Sequence, residues 1–159
     1  GRTRCYDEEY ASLWRYTVSY LRSKGLHNIL YAYNTDKVYS AEEYLRGYPG
    51  DAYIDMLSFD WYGSGESVIR DVNKALDFTT ALAKEKHKLF ALSECDPASA
   101  ELQKTLAQYE SVYLLTWRHA PSRGGHPAMG MLMKAQEDLL KTMSKNSRYL
   151  FLKDIQSIQ

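Results

Sequence analysis

Four apolar runs, each closing on a polar or aromatic tip and separated by segments of helical periodicity, constrain this chain more than any other feature. His27-Asn28-Ile29-Leu30-Tyr31-Ala32-Tyr33 closes on Asn34, and Tyr53-Ile54-Asp55-Met56-Leu57-Ser58-Phe59 on Asp60-Trp61-Tyr62. Leu89-Phe90-Ala91-Leu92-Ser93 closes on Glu94, and Val112-Tyr113-Leu114-Leu115-Thr116 on Trp117-Arg118-His119. Runs that are apolar nearly throughout suit strands covered on both faces, as in parallel sheets. Ahead of the first run, Asp7-Glu8-Glu9 puts acids where a helix macrodipole favours them. Tyr10, Leu13, Trp14, Thr17, Val18 and Leu21 then repeat at helical spacing until Gly25 stops the helix. Ser40-Ala41-Glu42-Glu43 opens a short helix that Gly47-Tyr48-Pro49-Gly50-Asp51 breaks. A longer helix between Gly65 and Lys88 carries Val68, Ile69, Val72, Leu76, Phe78 and Leu82 on one face. Pro97 to Glu101 starts another that runs through Leu102 and Leu106; Arg123 to Pro127 is a loop, and Met131 to Met143 a last helix.

Helix, then strand and helix four times over, implies a parallel sheet with right-handed crossovers and ligand chemistry at the C-terminal strand ends. Two α/β architectures fit. A small doubly wound sheet closes its core at this length, whereas a (β/α)8 TIM barrel takes about 250 residues and would be represented only by its last four βα units. The opening helix precedes the first strand as though completing an earlier unit, which favours the half-barrel. Nothing in residues 1–159 divides the chain, so a single domain is expected. Gly1 leads almost at once into the first helix without an initiator Met, and the chain is accordingly read as processed or truncated from a longer precursor.

Charge argues against several functions. Lys+Arg and Asp+Glu balance at 20 each, leaving no global field for a polyanion, so nucleic acid is not an expected partner. No apolar run approaches the ~18 residues of a membrane span. Gly63-Ser64-Gly65 is the nearest approach to a phosphate-binding turn and lacks the lysine or third glycine. Cys5 and Cys95 show no CxxC spacing, and their pairing is open. His27 and His87 read as surface residues, His119 and His126 as loop residues without metal-ligand spacing, so neither metal nor cofactor is expected.

As neighbouring strand ends, the tips gather Asp60, Tyr62, Glu94, Trp117 and Arg118 around one mouth. A retaining glycosidase uses such a set: one carboxylate attacks the anomeric carbon, a second about 5 Å away protonates the leaving oxygen, and donors hold the nucleophile ionised. The 14 tyrosines suit sugar faces, and half-buried strands equally. Plainer roles stand beside these. Glu94 could be capped by a helix or paired with Arg118, Asp60 and Tyr62 could form a turn, and Trp117 could be core.

Leu13-Trp14-Arg15-Tyr16, Asn28 to Asn34, Tyr48-Pro49-Gly50-Asp51, Asp55 to Tyr62, Ala91-Leu92-Ser93-Glu94 and Thr116-Trp117-Arg118, in that order, resemble the C-terminal half of the β-mannanases of glycoside hydrolase family 26. The resemblance implies the last four strands of a catalytic (β/α)8 barrel, with Glu94 as nucleophile, Tyr62 as the tyrosine that orients it, and Trp117 lining the cleavage subsite; the strand tips add Asp60 and Arg118 as substrate-binding candidates beside them. It implies that Tyr48 to Asp51 is structural. It also implies a β-mannan or related polysaccharide as substrate, an N-terminal half of the barrel as partner, and a secreted, periplasmic or cell-surface location. The family's acid/base glutamate follows a histidine, and no His-Glu pair occurs in this chain. Cys95-Asp96 after Glu94 also departs from the family pattern, which often has a small residue and then glycine. A non-catalytic carbohydrate-binding protein, or a hydrolase of another β-glucan or xylan, is the alternative.

Overall fold

The computed structural model describes residues 6–63, 66–95, 100–116, 138, 141–142 and 144–145. Its elements follow the expected alternation: α1 (Asp7–Ser23), β1 (Ala32–Thr35), α2 (Ala41–Tyr44), a 3-10 turn (Asp51–Tyr53), β2 (Met56–Trp61), α3 (Glu66–Glu85), β3 (Leu89–Cys95), α4 (Ala100–Leu106) and β4 (Leu114–Thr116). The strands form one sheet in the order β1-β2-β3-β4, and every pairing is parallel. Sequential order without a reversal has no topological switch point, the feature at which doubly wound sheets bind their ligands. It is the order of a barrel wall, and the doubly wound alternative falls.

The core lies between the sheet and its helices. Leu57, Phe59 and Trp61 of β2, with Phe90, Leu92 and Cys95 of β3, pack against Val72, Ala75 and Leu76 of α3. Those three helical positions are one turn apart, so they share a face. Fully burying an aliphatic side chain such as Leu76 contributes about 1.5–3 kcal/mol.

Helix limits largely follow local chemistry. Glu9 accepts the Tyr6 N–H at 3.1 Å at the start of α1, and Gly25 ends it with φ +80°. A side chain there would meet nothing, so the glycine is required by its backbone angle. Ser40 caps α2, its hydroxyl accepting the Glu43 N–H at 3.1 Å. In the Tyr48 to Asp51 loop the Tyr48 hydroxyl donates to Asp51 at 2.8 Å, and Lys86 pairs with the same carboxylate at 3.2 Å. The indole N–H of Trp14 donates to the Tyr53 carbonyl at 3.1 Å, docking α1 beside that loop.

Strand limits differ more. The first run was expected to be extended from His27, but β1 begins at Ala32, where its partner β2 begins at Met56. Before that point no strand among the described residues pairs with it, and Leu30 stays exposed. Asp55 lies ahead of β2, not inside it; its carboxylate accepts the Tyr31 N–H at 2.8 Å and sets the β1–β2 register. At the other end, β2 runs on to Trp61 and β3 to Cys95, so Asp60 and Glu94 are strand residues with a fixed facing. Of the expected last helix, only Asp138, Lys141 and Thr142 are described as helical.

Candidate active site

Strand alternation alone would misplace Glu94. Phe90 and Leu92 face the helices, so strict alternation turns Ser93 to the opposite face and Glu94 back into the apolar core. The register shows otherwise. From Leu92 to Cys95, β3 advances three residues while β2 advances two, from Phe59 to Trp61, and β4 two, from Leu114 to Thr116. One extra residue in β3 is a β-bulge, a device that re-aims side chains beside active sites. Asp60 pairs with Glu94 across it, Ser93 falls between paired positions, and Cys95 returns to the core, fully buried.

Glu94 therefore stands beside Asp60 on the inner face of the sheet, at its C-terminal end. The phenol of Tyr62, directly after β2, donates its hydrogen bond to Glu94 Oε2. A phenol donating to that oxygen fixes the direction of the carboxylate. Gly63, at φ +138°, turns the chain away immediately afterwards. A Cβ there would lie 3.1 Å from a Val68 methyl, besides adopting a backbone angle that L side chains avoid.

Asp60 has its own support, which sequence reading did not anticipate. The Asn34 amide donates to Asp60 Oδ2 at 2.9 Å, and the Ser58 hydroxyl donates to the Asn34 amide oxygen at 2.9 Å, which sets the orientation of the amide. Asn34 and Ser58 are paired residues of β1 and β2. A polar residue at the tip of a strand was the only hint in the sequence. The other Asp60 oxygen, Oδ1, is buried and makes no hydrogen bond among the described residues.

Burial raises the Asp60 pKa, and the negative charges of Glu94 and Asp36 raise it further, against the opposing Asn34 hydrogen bond. Its folded pKa lies above the ordinary value, so the stability it contributes is held in acid and lost as pH rises through the folded pKa. Asp60→Asn should accordingly resist urea better than the parent at neutral pH, with the difference closing as pH falls toward 3.8, and parallel urea titrations across that range read the effect.

Of the other expected site residues, Trp117 and Arg118 lie outside the described residues, as does Cys5. Among the described residues, no group of three or more His, Cys, Asp or Glu is placed to hold a metal ion. No described helix is long and apolar enough to cross a membrane. A groove of about 940 Å³ is lined by Lys88, Leu89, Tyr109 and Val112, at the N-terminal ends of β3 and β4. It is at the wrong end of the strands to serve Glu94.

A parallel βα sheet in sequential order, with a tyrosine-held carboxylate at the C-terminal end of an inner strand, defines part of a (β/α)8 barrel with its chemistry on the usual face. The sequence model of Glycosyl hydrolase family 26 matches residues 1–123, and the chain belongs to that family. The mannan endo-1,4-beta-mannosidase of Bifidobacterium adolescentis is 32% identical over 145 residues, covering 74% of this chain and 14% of that protein. A GH26 beta-mannanase from Bacteroides ovatus superposes with a TM-score of 0.79 at 34% identity, over 97% of this chain and 48% of that one. A modular endo-beta-1,4-mannanase from Cellulomonas fimi gives 0.76 at 26% identity, over 97% of this chain and 39% of that one. The chain thus spans less than half of each of these relatives.

Proposed function

We propose that this chain supplies the nucleophile-bearing part of a retaining endo-β-1,4-mannanase, with Glu94 as nucleophile and Tyr62 as the donor that orients it. The observation that carries this reading is the Tyr62 hydrogen bond to Glu94 at the C-terminal end of the sheet. Membership of the family supports the reaction class, and relatives described as mannanases support the substrate.

In the first step a Glu94 carboxylate oxygen bonds to the anomeric carbon while the bond to the leaving oxygen breaks, and a carboxylic acid protonates that oxygen. In the second step water displaces Glu94 from the glycosyl ester, its proton taken by the same acid's conjugate base. The Tyr62 phenol donates to Glu94 Oε2 and holds the carboxylate in its direction for attack. Asp60, its Oδ2 held by the Asn34 amide and paired beside Glu94, forms part of the proposed sugar subsite. Trp117 and Arg118 complete the proposed sugar subsite.

No His-Glu pair is present to provide the acid, so the proposed partner is the N-terminal part of the barrel. Without general acid catalysis, hydrolysis of unactivated glycosides falls by ~10²–10⁴-fold. A polymeric substrate too large to enter cells accords with a secreted, periplasmic or cell-surface location.

The test is reducing-end release by the intact protein from β-mannan, a mixed-linkage glucan and a xylan assayed in parallel. Release from mannan foremost is the expected result. Preference for another polymer overturns the substrate, and release from none overturns the hydrolase in favour of a sugar-binding protein.

A further inference from the structure

The bulge that turns Glu94 to the inner face is paired with β2 on both sides of the extra residue, but on the β4 side the ladder skips from Leu92 to Cys95 and leaves that flank without backbone pairing. Below the skip, the Val112 N–H donates to the Phe90 carbonyl at 2.8 Å. Above it, the Cys95 thiol reaches the Leu115 carbonyl at 3.6 Å. In between, Ser93 Oγ, on the extra residue itself, shares a hydrogen bond of 2.8 Å with the hydroxyl of Tyr113. Tyr113 precedes β4, and its carbonyl accepts the Ser111 hydroxyl at 2.7 Å, which fixes the backbone from which the ring projects.

We propose that Ser93 and Tyr113 form a side-chain clasp that holds the β3 bulge in the register aiming Glu94 at the anomeric carbon, making both positioning residues for the nucleophile. The physical reason lies in the alternation of β3. If the extra residue is absorbed elsewhere in the strand, Glu94 turns toward the apolar layer that holds Leu92 and Cys95. Burying a carboxylate there is unfavourable, so the strand does not invert. A loosened bulge instead lets the carboxylate swing within the inner face, and displacements of an ångström suffice to slow attack about 10²-fold. A serine and a tyrosine hydroxyl form a neutral bond that adds no charge beside Glu94.

The inference rests on Glu94 being the nucleophile, and its test separates the two. A 2-deoxy-2-fluoro-β-mannosyl fluoride is incubated with the intact protein. A Glu94 oxygen bonds to C1 as the C1–F bond breaks and fluoride departs with the electron pair, while the C2 fluorine slows hydrolysis of the ester. Mass spectrometry then reads the rate and place of labelling. Tyr113→Phe and Ser93→Ala should each slow labelling about tenfold with little change in the half-saturating probe concentration. The double variant should be no slower than either single one, because both remove one bond. Ser93→Thr, which keeps the hydroxyl, should label as the parent does.

Attachment to Glu94 with parental rates in Tyr113→Phe or Ser93→Ala overturns the clasp and leaves the nucleophile standing. Effects that multiply in the double variant also overturn it, since they show two independent contacts. Attachment to a residue other than Glu94 overturns both proposals. Thermal midpoints are measured alongside, and a lowered midpoint with an unchanged labelling rate well below it counts against the clasp.

Discussion

Glu94→Ala in the intact protein is expected to lower kcat/KM on β-mannan by on the order of 10⁴-fold or more, the scale seen when a covalent nucleophile is removed. Binding of the same polymer, followed by affinity electrophoresis, should remain measurable. The expectation follows from the geometry around the carboxylate. Glu94 accepts the Tyr62 phenol, is paired with Asp60 across the bulge, and sits half-buried at the C-terminal end of β3. Under the proposed mechanism, removing it deletes the attacking oxygen but leaves the proposed sugar subsite. Tyr62→Phe serves as the graded comparison, since loss of one preorganised donor costs ~10²–10³-fold. Retained hydrolysis in Glu94→Ala sinks the nucleophile assignment, whatever Tyr62→Phe does.

The second large effect is on stability and centres on Tyr44. This residue of α2 is fully buried, and its hydroxyl reaches between two strands. It accepts the Ser58 N–H at 2.9 Å and lies 3.0 Å from the carbonyl oxygens of both Tyr33 and Ser58. Burial drives its pKa upward, so it stays a neutral phenol. Tyr44→Phe keeps the ring against Tyr33 and Phe78 but strips a buried N–H of its acceptor. A loss of about 1–3 kcal/mol in urea unfolding of the intact protein is expected. Tyr44→Ala adds a cavity and should cost about 3–5 kcal/mol. Equal stability of Tyr44→Phe and the parent would show that the bridge between β1 and β2 contributes nothing net. The same bridge underlies the site, because Ser58 orients Asn34 and Asn34 holds Asp60.

Much of the architecture was legible in the chain. Helical periodicity located α1 and α3, the acids at Asp7 to Glu9 and the turn at Gly25 bounded the first helix, and four apolar runs gave four parallel strands. These signals are local, since amphipathic spacing and turn chemistry depend on residues close in sequence. Strand limits were less legible. Whether His27 to Tyr31 are extended and paired depends on where a strand some two dozen residues later begins, and Met56 is where it does. The strand tips offered Tyr62 as a donor to Glu94 only as one option beside plainer roles, and the family resemblance singled it out, because no local pattern pairs residues across a crossover helix.

Glu94 marks the boundary between the two kinds of information. From the sequence alone came a carboxylate closing an apolar run, near the C-terminal end of a parallel strand, on the side where such sheets gather their chemistry. Its facing came only from the tertiary structure. Alternation counted from Leu92 would bury Glu94 among Trp61, Phe90 and the α3 side chains. An extra residue in β3, visible solely as a shift in register against both β2 and β4, reverses that facing and brings it beside Asp60. Register is a relation between strands distant in the chain. No property of Ser93 by itself marks it as the residue that does not pair.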